Sequence, residues 1–253
     1  MKKIAVITGA SSGMGREFVR TLDTFGRFDE VWAVARRKER LEALTASCPV
    51  RAVPLDLSDQ ASLGIYADML RDSGAEVGLL VNASGFGKFD AVMDTPLSEN
   101  MNMVDLDCRA LMAMCQITIP YMPEGAKIIN IASVAGFQPI PCINVYAACK
   151  AFVVSFSRAL NKELKGIHVM AVCPFWTNTE FFDRAVSSNI VVKKYVAMYQ
   201  PEDIVKRAWS DAAKNKEISM YGFKARGQAL LVKILPHSLV MKIWMRQQGL
   251  EAE

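Results

Sequence analysis

This sequence of 253 residues has few histidines and no C-x-x-C motif. It has two histidines, and His168 has no second histidine or carboxylate at ligand spacing, while His237 is expected at the surface. None of the six cysteines falls in a C-x-x-C pair, so we expect no metal site. With no signal peptide ahead of them, the cysteines are expected to be reduced and structural, in a cytoplasmic protein.

Long uninterrupted apolar runs are also absent. The most apolar late segment, residues 229–245, is broken by Lys233, Pro236, His237 and Lys242, so it is too interrupted to span a bilayer. Its apolar residues still recur at helical spacing within a tail at about 224–247. We interpret them as packing on their own subunit or on a dimer partner. Binding to a membrane surface is the less favoured alternative.

Charge of one sign is not in large excess. The net charge of +4 is too small to indicate a nucleic-acid partner. Between 214 and 246, Glu217 is the single acid, and the basic residues are Lys214, Lys216, Lys224, Arg226, Lys233, Lys242 and Arg246. A solvated helix face is the favoured interpretation, and a surface for anionic lipid or an anionic substrate is the alternative.

The composition that remains is that of a globular protein. Hydrophobic residues make up 51% and charged residues 22% of the chain. There is no internal repeat, no low-complexity tract and no linker rich in Gly, Ser or Pro. We therefore expect a single domain over residues 1–253.

Short apolar runs alternate with stretches long enough for helices. The runs cover residues 4–7, 31–35, 51–55, 77–81, 128–132 and 169–173. They do not alternate apolar with polar residues, which is typical of parallel strands buried on both faces. Helices are predicted at 15–25, 37–45, 58–71, 100–119 and 146–164. This order predicts an α/β fold with a doubly wound, Rossmann-like parallel sheet and a C-terminal helical tail.

A glycine-rich segment directly follows the first predicted strand. Its spacing is G-x-x-x-G-x-G, without the Gly-Lys-Ser/Thr ending of a P-loop. Glycines in this place let backbone N–H groups approach a pyrophosphate at a helix N-terminus. The candidate cofactor-binding residues here are Gly9, Ser11, Ser12, Gly13, Met14 and Gly15.

Two arginines, Arg36 and Arg37, follow the second predicted strand. A site for NAD usually places Asp or Glu near this point to bind the ribose 2′-hydroxyl. A guanidinium instead pairs with a 2′-phosphate through a planar, charge-assisted contact. We therefore favour NADP(H) over NAD(H), and a solvated charged turn is the alternative.

A tyrosine and a lysine lie four residues apart in the predicted helix at 146–164. Tyr146 and Lys150 therefore share one helix face. A cation beside the phenol makes it a better acid, which reduction of a carbonyl requires as the oxygen gains charge. Ser133, just past a strand, can hold the same oxygen. Such a pair alone is a weak signal, and its order after the glycine segment and Ser133 strengthens it.

These motifs together resemble the short-chain dehydrogenase/reductase family over nearly the whole chain. Leu80-Val81-Asn82-Ala83-Ser84-Gly85 is similar to the Asn-Asn-Ala-Gly motif of that family. The resemblance implies that Ser133, Tyr146 and Lys150 are catalytic and that Lys150 also binds the nicotinamide ribose. It further implies cofactor contacts from Asp56, Leu57, Asn82, Ala83, Ser84, Tyr146, Lys150, Pro174, Thr177 and Thr179.

The sequence departs from the family pattern at two important positions. The resemblance places Asp107 where the family has a fourth catalytic residue, asparagine. We hypothesise that Asp107 keeps the structural role and alters the pH–rate profile. Phe175 replaces the glycine of the family's Pro-Gly, beside Trp176. Either the cofactor lid is stiffer, or these aromatic residues form a wall of an apolar substrate pocket.

The segment at about 175–200 has the pattern of a substrate lid, although ordinary core packing of helices gives the same pattern. The sequence therefore predicts an NADP(H)-dependent oxidoreductase acting on a carbonyl or secondary alcohol of a bulky apolar substrate. Candidates are a hydroxysteroid or bile acid, an acyl compound, and a generic ketone or aldehyde. The alternative is a non-catalytic, NADP(H)-sensing regulator. The resemblance also implies a homodimer or homotetramer.

Overall fold

The computed structural model describes residues 1–185, 192 and 197–250. Its strands are β1 Lys3–Thr8, β2 Glu30–Ala35, β3 Val50–Pro54, β4 Glu76–Asn82, β5 Lys127–Ile131, β6 His168–Val172 and β7 Ile218–Ser219. Its α-helices are α1 Gly13–Arg20, α2 Lys38–Glu42, α3 Gln60–Ser73, α4 Leu97–Val104, α5 Leu111–Thr118, α6 Asn144–Glu163, α7 Phe181–Ala185, α8 Pro201–Ala213, α9 Phe223–Ile234 and α10 His237–Gln248.

The strands form one sheet in the order β3-β2-β1-β4-β5-β6-β7, and the described pairings are parallel. In the centre, Val6 pairs with Trp32 on one side and with Leu80 on the other. The central strands are buried on both faces, which explains why their sequences are continuously apolar. The doubly wound parallel sheet predicted from the sequence is therefore confirmed.

Each face of the sheet carries its own hydrophobic cluster. On β1, Ile4 and Val6 enter one cluster while Ala5 and Ile7 enter the other, as the two-residue period of a strand requires. The first cluster is centred on Trp32, Tyr66, Leu80, Met114 and Ile128. The second contains Phe18, Val19, Leu79, Val205 and Trp209. The sheet is thus a rigid middle layer between two layers of helices.

The helix predicted at 100–119 is divided by a π-helical turn. Helix α4 ends at Val104, the turn covers Asp105–Ala110, and α5 begins at Leu111. Such turns inside α-helices often occur at functional sites. Here the turn carries Asp107, whose side chain is fully buried.

Some elements were not predicted from the sequence. Strand β7 has two residues, Ile218–Ser219, and is too short for a periodic signal. Helix α8 packs Trp209 against Phe18 and Phe25, with ring centroids 4.8 and 4.9 Å apart. The predicted C-terminal tail is present as α9 and α10. Of the lid predicted at about 175–200, residues 186–191 and 193–196 lie outside the described part of the chain.

Strands β2 and β3 are added on one side of β1, and β4 and the later strands on its other side. The loops that follow β1 and β4 therefore flank a crevice where open α/β sheets bind ligands. The Thr8 hydroxyl joins these two loops, because it accepts hydrogen bonds from the backbone N–H groups of Ala83 and Ser84 at 3.0 and 3.1 Å. The fold thus places the loops that carry the predicted site residues at the carboxyl ends of the strands.

Candidate active site

A cavity of about 1270 Å³ opens beyond the carboxyl ends of the strands. Asn82 and Asp107 are the two predicted site residues outside its wall. The predicted residues that line it are Gly9, Ser11, Ser12, Gly13, Met14, Gly15, Arg36, Arg37, Asp56, Leu57, Ala83, Ser84, Ser133, Tyr146, Lys150, Pro174, Thr177 and Thr179.

The glycine-rich loop packs closely against the loop after β4 and leaves the first turn of α1 open. Gly9 has φ +66°, and a Cβ there would lie 2.5 Å from the Ala83 carbonyl oxygen. Ser12 is the N-cap of α1, yet its side chain makes no capping hydrogen bond to the first turn. The N–H groups of that turn therefore have no side-chain acceptor in the cap. These features fit the pyrophosphate of a dinucleotide.

Arginines from the end of β2 and the start of α2 converge on this loop. Arg37 donates hydrogen bonds to Ser11 Oγ at 3.0 Å and to Ser12 Oγ at 2.9 Å. Arg37 and Arg40 also pair with Glu180, at 2.9 and 2.7 Å. Burial acts to raise the pKa of Glu180, but hydrogen bonds from Arg40 and Arg37 lower it below its ordinary value.

The second predicted arginine lines the cavity beside Asp56. Arg36 Nη1 is 3.7 Å from Asp56 Oδ2, and both side chains are exposed. Burial acts to raise the pKa of Asp56, but hydrogen bonds from Ser58 and the Arg36 guanidinium bring it below its ordinary value. Arg40 and Glu180 were not singled out in the sequence, although Arg40 belongs to the charged run that begins at Arg36.

Ser133 and Tyr146 both line the cavity. Ser133 follows β5 and caps a 3₁₀ turn, since its Oγ accepts a hydrogen bond from Ala135 N–H at 3.1 Å. The Ser133 hydroxyl is close enough to the phenol to lower the pKa of Tyr146. Tyr146 lies in the first turn of α6. The sheet and α6 therefore place these two side chains, thirteen residues apart in the sequence, on the wall of one cavity.

Lys150 is buried one turn further along α6. Its Nζ lies 5.4 Å from the centroid of the Tyr146 ring and donates a hydrogen bond to the Ile131 carbonyl oxygen at 3.2 Å. The same Nζ is 2.9 Å from Asp107 Oδ2, and both side chains are nearly inaccessible to solvent. Asp107 Oδ1 accepts a hydrogen bond from Phe86 N–H at 3.0 Å. The structure thus places Asp107 behind Lys150.

The charges in this group oppose one another at Tyr146. Burial raises the pKa of Tyr146, the Lys150 ammonium and Ser133 hydroxyl lower it, and the Asp107 carboxylate raises it again. Burial alone would lower the pKa of Lys150, but Asp107 and Tyr146 raise it above its ordinary value. Lys150 is therefore an ammonium ion throughout the neutral range, beside a phenol that is protonated there.

Asn82 is turned into the protein interior. Its amide nitrogen donates to Asn130 Oδ1 at 2.9 Å, which ties β4 to β5. Its Oδ1 atom is buried without a hydrogen-bond partner. Unlike its neighbours Ala83 and Ser84, it does not reach the cavity wall. In this arrangement its visible role is to hold the loop that carries those two residues.

Aromatic rings form one wall of the cavity. Phe89 is in ring contact with Tyr146, Trp176, Phe181 and Phe182, at centroid distances of 6.3, 5.6, 5.9 and 6.1 Å. Of the two alternatives left open for Phe175 and Trp176, the structure favours the wall, because both line the cavity. Phe89 was missed in the sequence, since it lies in a segment without periodic pattern.

Gln138 is a second residue that sequence reasoning missed. It lines the same cavity, is 8% exposed, and its Oε1 atom has no hydrogen-bond partner. A buried amide without a partner is costly unless a ligand supplies one. Because the two ends of an amide can exchange by rotation, Gln138 can either donate to or accept from a polar group in the cavity.

Comparisons with known proteins agree with this geometry. A family model described as short chain dehydrogenase matches residues 3–189. Sulfoacetaldehyde reductase 2 of Chromohalobacter salexigens is 34% identical over 194 residues, which cover 72% of this chain and 75% of that protein. The human very-long-chain 3-oxoacyl-CoA reductase is 28% identical over 255 residues, covering 94% and 75%.

A solved structure shows the same likeness in three dimensions. The short-chain dehydrogenase from Sphingobium yanoikuyae in complex with NADPH has a TM-score of 0.77 and 27% identity. The match covers 93% of this chain and 97% of that chain. The family match includes the glycine-rich loop and also Ser133, Tyr146 and Lys150. The chain therefore belongs to the short-chain dehydrogenase family and is an oxidoreductase.

Proposed function

We propose that the protein is an NADP(H)-dependent oxidoreductase that moves a hydride between the nicotinamide and a carbonyl or secondary alcohol of a bulky apolar substrate. The observation that carries this proposal is the contact group at the cavity wall. There Tyr146 and Ser133 line the same cavity, and Lys150 lies beside the Tyr146 ring with Asp107 behind it.

Each residue of this group has a distinct task. A bound nicotinamide supplies or accepts the hydride at carbon. Ser133 holds the substrate oxygen, and Tyr146 donates the proton from its hydroxyl as charge develops on that oxygen. The Lys150 ammonium favours the phenolate that remains. Asp107 fixes the Lys150 ammonium in place through the 2.9 Å ion pair.

The cofactor preference rests on the arginines near the end of β2. Arg36, Arg37 and Arg40 line the cavity at the position where the ribose of a dinucleotide would lie. Guanidinium groups match a 2′-phosphate, whereas a 2′-hydroxyl is held by a carboxylate. We therefore infer that NADP(H) is preferred over NAD(H), and that residues 9–15 and 174–179 hold the rest of the cofactor.

Replacing both Arg36 and Arg37 with alanine is expected to reverse this preference. Each lost charge-assisted hydrogen bond is worth about 1.5–3 kcal/mol, so kcat/KM with NADPH falls about 100-fold or more. The value with NADH should fall much less, through the lost contacts of Arg37 with Ser11 and Ser12 alone. Arg71→Ala is the matched control, because Arg71 is an exposed arginine on α3 that pairs with Asp68. Equal losses with both cofactors would contradict the assignment.

The substrate class rests on the wall and on Gln138. The aromatic wall of Phe89, Trp176, Phe181 and Phe182 suits an apolar body. The amide of Gln138 suits one polar group on that body. Acyl compounds, hydroxysteroids or bile acids, and bulky ketones or aldehydes meet both requirements.

A direct test follows NADPH consumption by absorbance over a panel of aldehydes, bulky ketones, steroids and 3-oxoacyl thioesters. We expect turnover with bulky apolar carbonyls, faster with NADPH than with NADH. Gln138→Leu should raise KM for the best substrate and leave the affinity for NADPH unchanged. Absence of cofactor consumption with every carbonyl class would overturn the proposed function.

Replacing Asp107 with asparagine is expected to move the pH–rate profile. The Asp107 carboxylate raises the pKa of Tyr146, so its removal lowers that pKa. Reduction requires a protonated Tyr146, and its rate will therefore fall at a lower pH than in the parent. Oxidation requires the phenolate, and its acidic limb will move to lower pH as well. Both directions are measured from kcat/KM against pH.

Asp105→Asn is the matched control for this prediction. Asp105 lies on the same π-helical turn, but its carboxylate is partly exposed and pairs with Arg109 at 2.8 Å. The same charge change there should leave the profile where it was. An unchanged profile in Asp107→Asn, or an equal movement in both variants, would contradict the role assigned to Asp107.

The homo-oligomer implied by the family resemblance would find an exposed apolar surface on α4 and α6. Phe152 and Phe156 of α6 stack at 5.6 Å, and Phe152 is partly exposed. Met101 and Val104 of α4 are exposed as well. We propose that this face, and not the C-terminal helices, joins the subunits.

A further inference from the structure

The outer face of α9 is apolar. Ala225, Ala229 and Val232 are buried and fix which side of the helix faces the protein. On the opposite side, Phe223, Leu230, Leu231 and Ile234 are exposed, with exposed fractions of 89, 63, 52 and 73%. A surface helix normally places polar residues there. The stripe, which the sequence predicts to pack on its own subunit or on a dimer partner, is therefore only partly buried.

Helix α10 extends this surface. It is held by Val240, which is buried, and by Trp244, whose indole N–H donates to the Pro141 carbonyl oxygen at 3.0 Å. Its other side exposes Leu239 and Ile243. The apolar face of α9 and α10 is defined here as Phe223, Leu230, Leu231, Ile234, Leu239 and Ile243.

Basic residues border the apolar face, and no acidic residue occurs between 218 and 250. The bordering residues are Arg226, Lys233, Lys242 and Arg246, all exposed. No carboxylate in the described part of the chain lies within 4.0 Å of their charged groups. Two copies joined face to face would bring these cations together without a neutralising partner. An anionic surface would neutralise them instead.

The apolar face also borders the cavity. Phe223, Leu231 and Ile243 are exposed on the outside and line the cavity that reaches Tyr146. An apolar molecule held in a bilayer could pass between α9 and α10 into the cavity with little exposure to water. This step rests on the proposed function, whereas the binding surface itself does not.

We propose that the protein docks on anionic phospholipid bilayers through the apolar face of α9 and α10. The two helices lie flat in the interface, with their apolar side chains among the acyl chains and the bordering cations at the headgroups. Among the described residues, no helix is long and apolar enough to cross a membrane. The attachment that we propose lies in the plane of the interface, and it reverses the preference stated from the sequence.

Co-sedimentation of the full chain with vesicles tests this proposal. We expect binding to phosphatidylcholine vesicles that contain phosphatidylglycerol, and at least tenfold weaker binding to phosphatidylcholine alone. Ile234→Asp should weaken binding to the anionic vesicles at least tenfold. Ile65→Asp is the matched control, because Ile65 is an isoleucine of α3 with 50% exposure. Lys233→Glu with Lys242→Glu should remove the salt-sensitive part of the binding.

Two further measurements separate the outcomes. Turnover of a water-soluble carbonyl should be the same in Ile234→Asp as in the parent, which shows that the variant folds. Light scattering should give the same molar mass for both. If the parent does not bind anionic vesicles, the proposal is wrong. If Ile234→Asp dissociates an oligomer, the face joins subunits and the proposal is wrong as well. Vesicle binding is measured without turnover, so its failure is distinct from failure of the proposed function.

Discussion

Replacing Tyr146 with phenylalanine is expected to lower kcat for carbonyl reduction about 10³-fold, because the substrate oxygen loses its proton donor. The ring itself remains, and so do its contacts with Phe89 and Phe181. Since no hydrogen bond in the described part of the chain joins this hydroxyl to the glycine-rich loop, the affinity for NADPH should change less than about twofold. Steady-state kinetics and NADPH fluorescence titration measure the two quantities.

Tyr121→Phe is the matched control for this prediction. Tyr121 is a partly buried tyrosine in a 3₁₀ turn after α5, away from the cavity. The same removal of a hydroxyl there should leave kcat within about twofold, as for most substitutions outside a site. Full turnover in Tyr146→Phe would instead support the non-catalytic, NADP(H)-sensing alternative.

Replacing Lys150 with methionine is expected to affect both stability and activity. The substitution leaves the carboxylate of Asp107 buried without its ion-pair partner. Breaking a buried pair in this way costs about 3–5 kcal/mol of unfolding free energy. Turnover should fall at least about 100-fold, because the phenolate of Tyr146 loses its cation. Denaturant unfolding and steady-state kinetics measure the two effects.

The double variant Lys150→Met with Asp107→Asn separates the two roles. It removes both charges, so most of the lost stability should return. Activity should not return, since the ammonium beside Tyr146 is still missing. A single variant as stable as the parent would show that the 2.9 Å contact between Lys150 and Asp107 contributes nothing to the fold. Recovery of activity in the double variant would contradict the role of Lys150 in catalysis.

The sheet could be predicted from the sequence because its strands are buried on both faces. A short continuous apolar run, such as the one that became Glu76–Asn82, is typical of a parallel strand covered on both sides. Strand β7 and helix α8 could not be predicted in the same way. The two residues of β7 gain their place from pairing with β6, and α8 from the contact of Trp209 with Phe18. Both depend on contacts far apart in the chain.

The site was accessible from the sequence where it depends on local spacing. The turn of helix between Tyr146 and Lys150 and the glycines after β1 are local features. Gln138 and Glu180 are not, because their importance comes from an unpaired oxygen and from two arginines on another element. Asn82 carried the expected motif, yet its side chain serves β5. A motif fixes where a residue lies in the chain more securely than where its side chain points.

The π-helical turn at Asp105–Ala110 imposes a length requirement on the chain. It holds one residue more than a regular turn, and that residue lets Asp107 point at Lys150 while Leu111 and Met114 still reach the core. Deleting a single amino acid there would straighten the helix and rotate one of the two sets by about 100°. An insertion or deletion in this turn would therefore disrupt either the contact of Asp107 with Lys150 or the packing of Leu111 and Met114, whereas a substitution need disrupt neither.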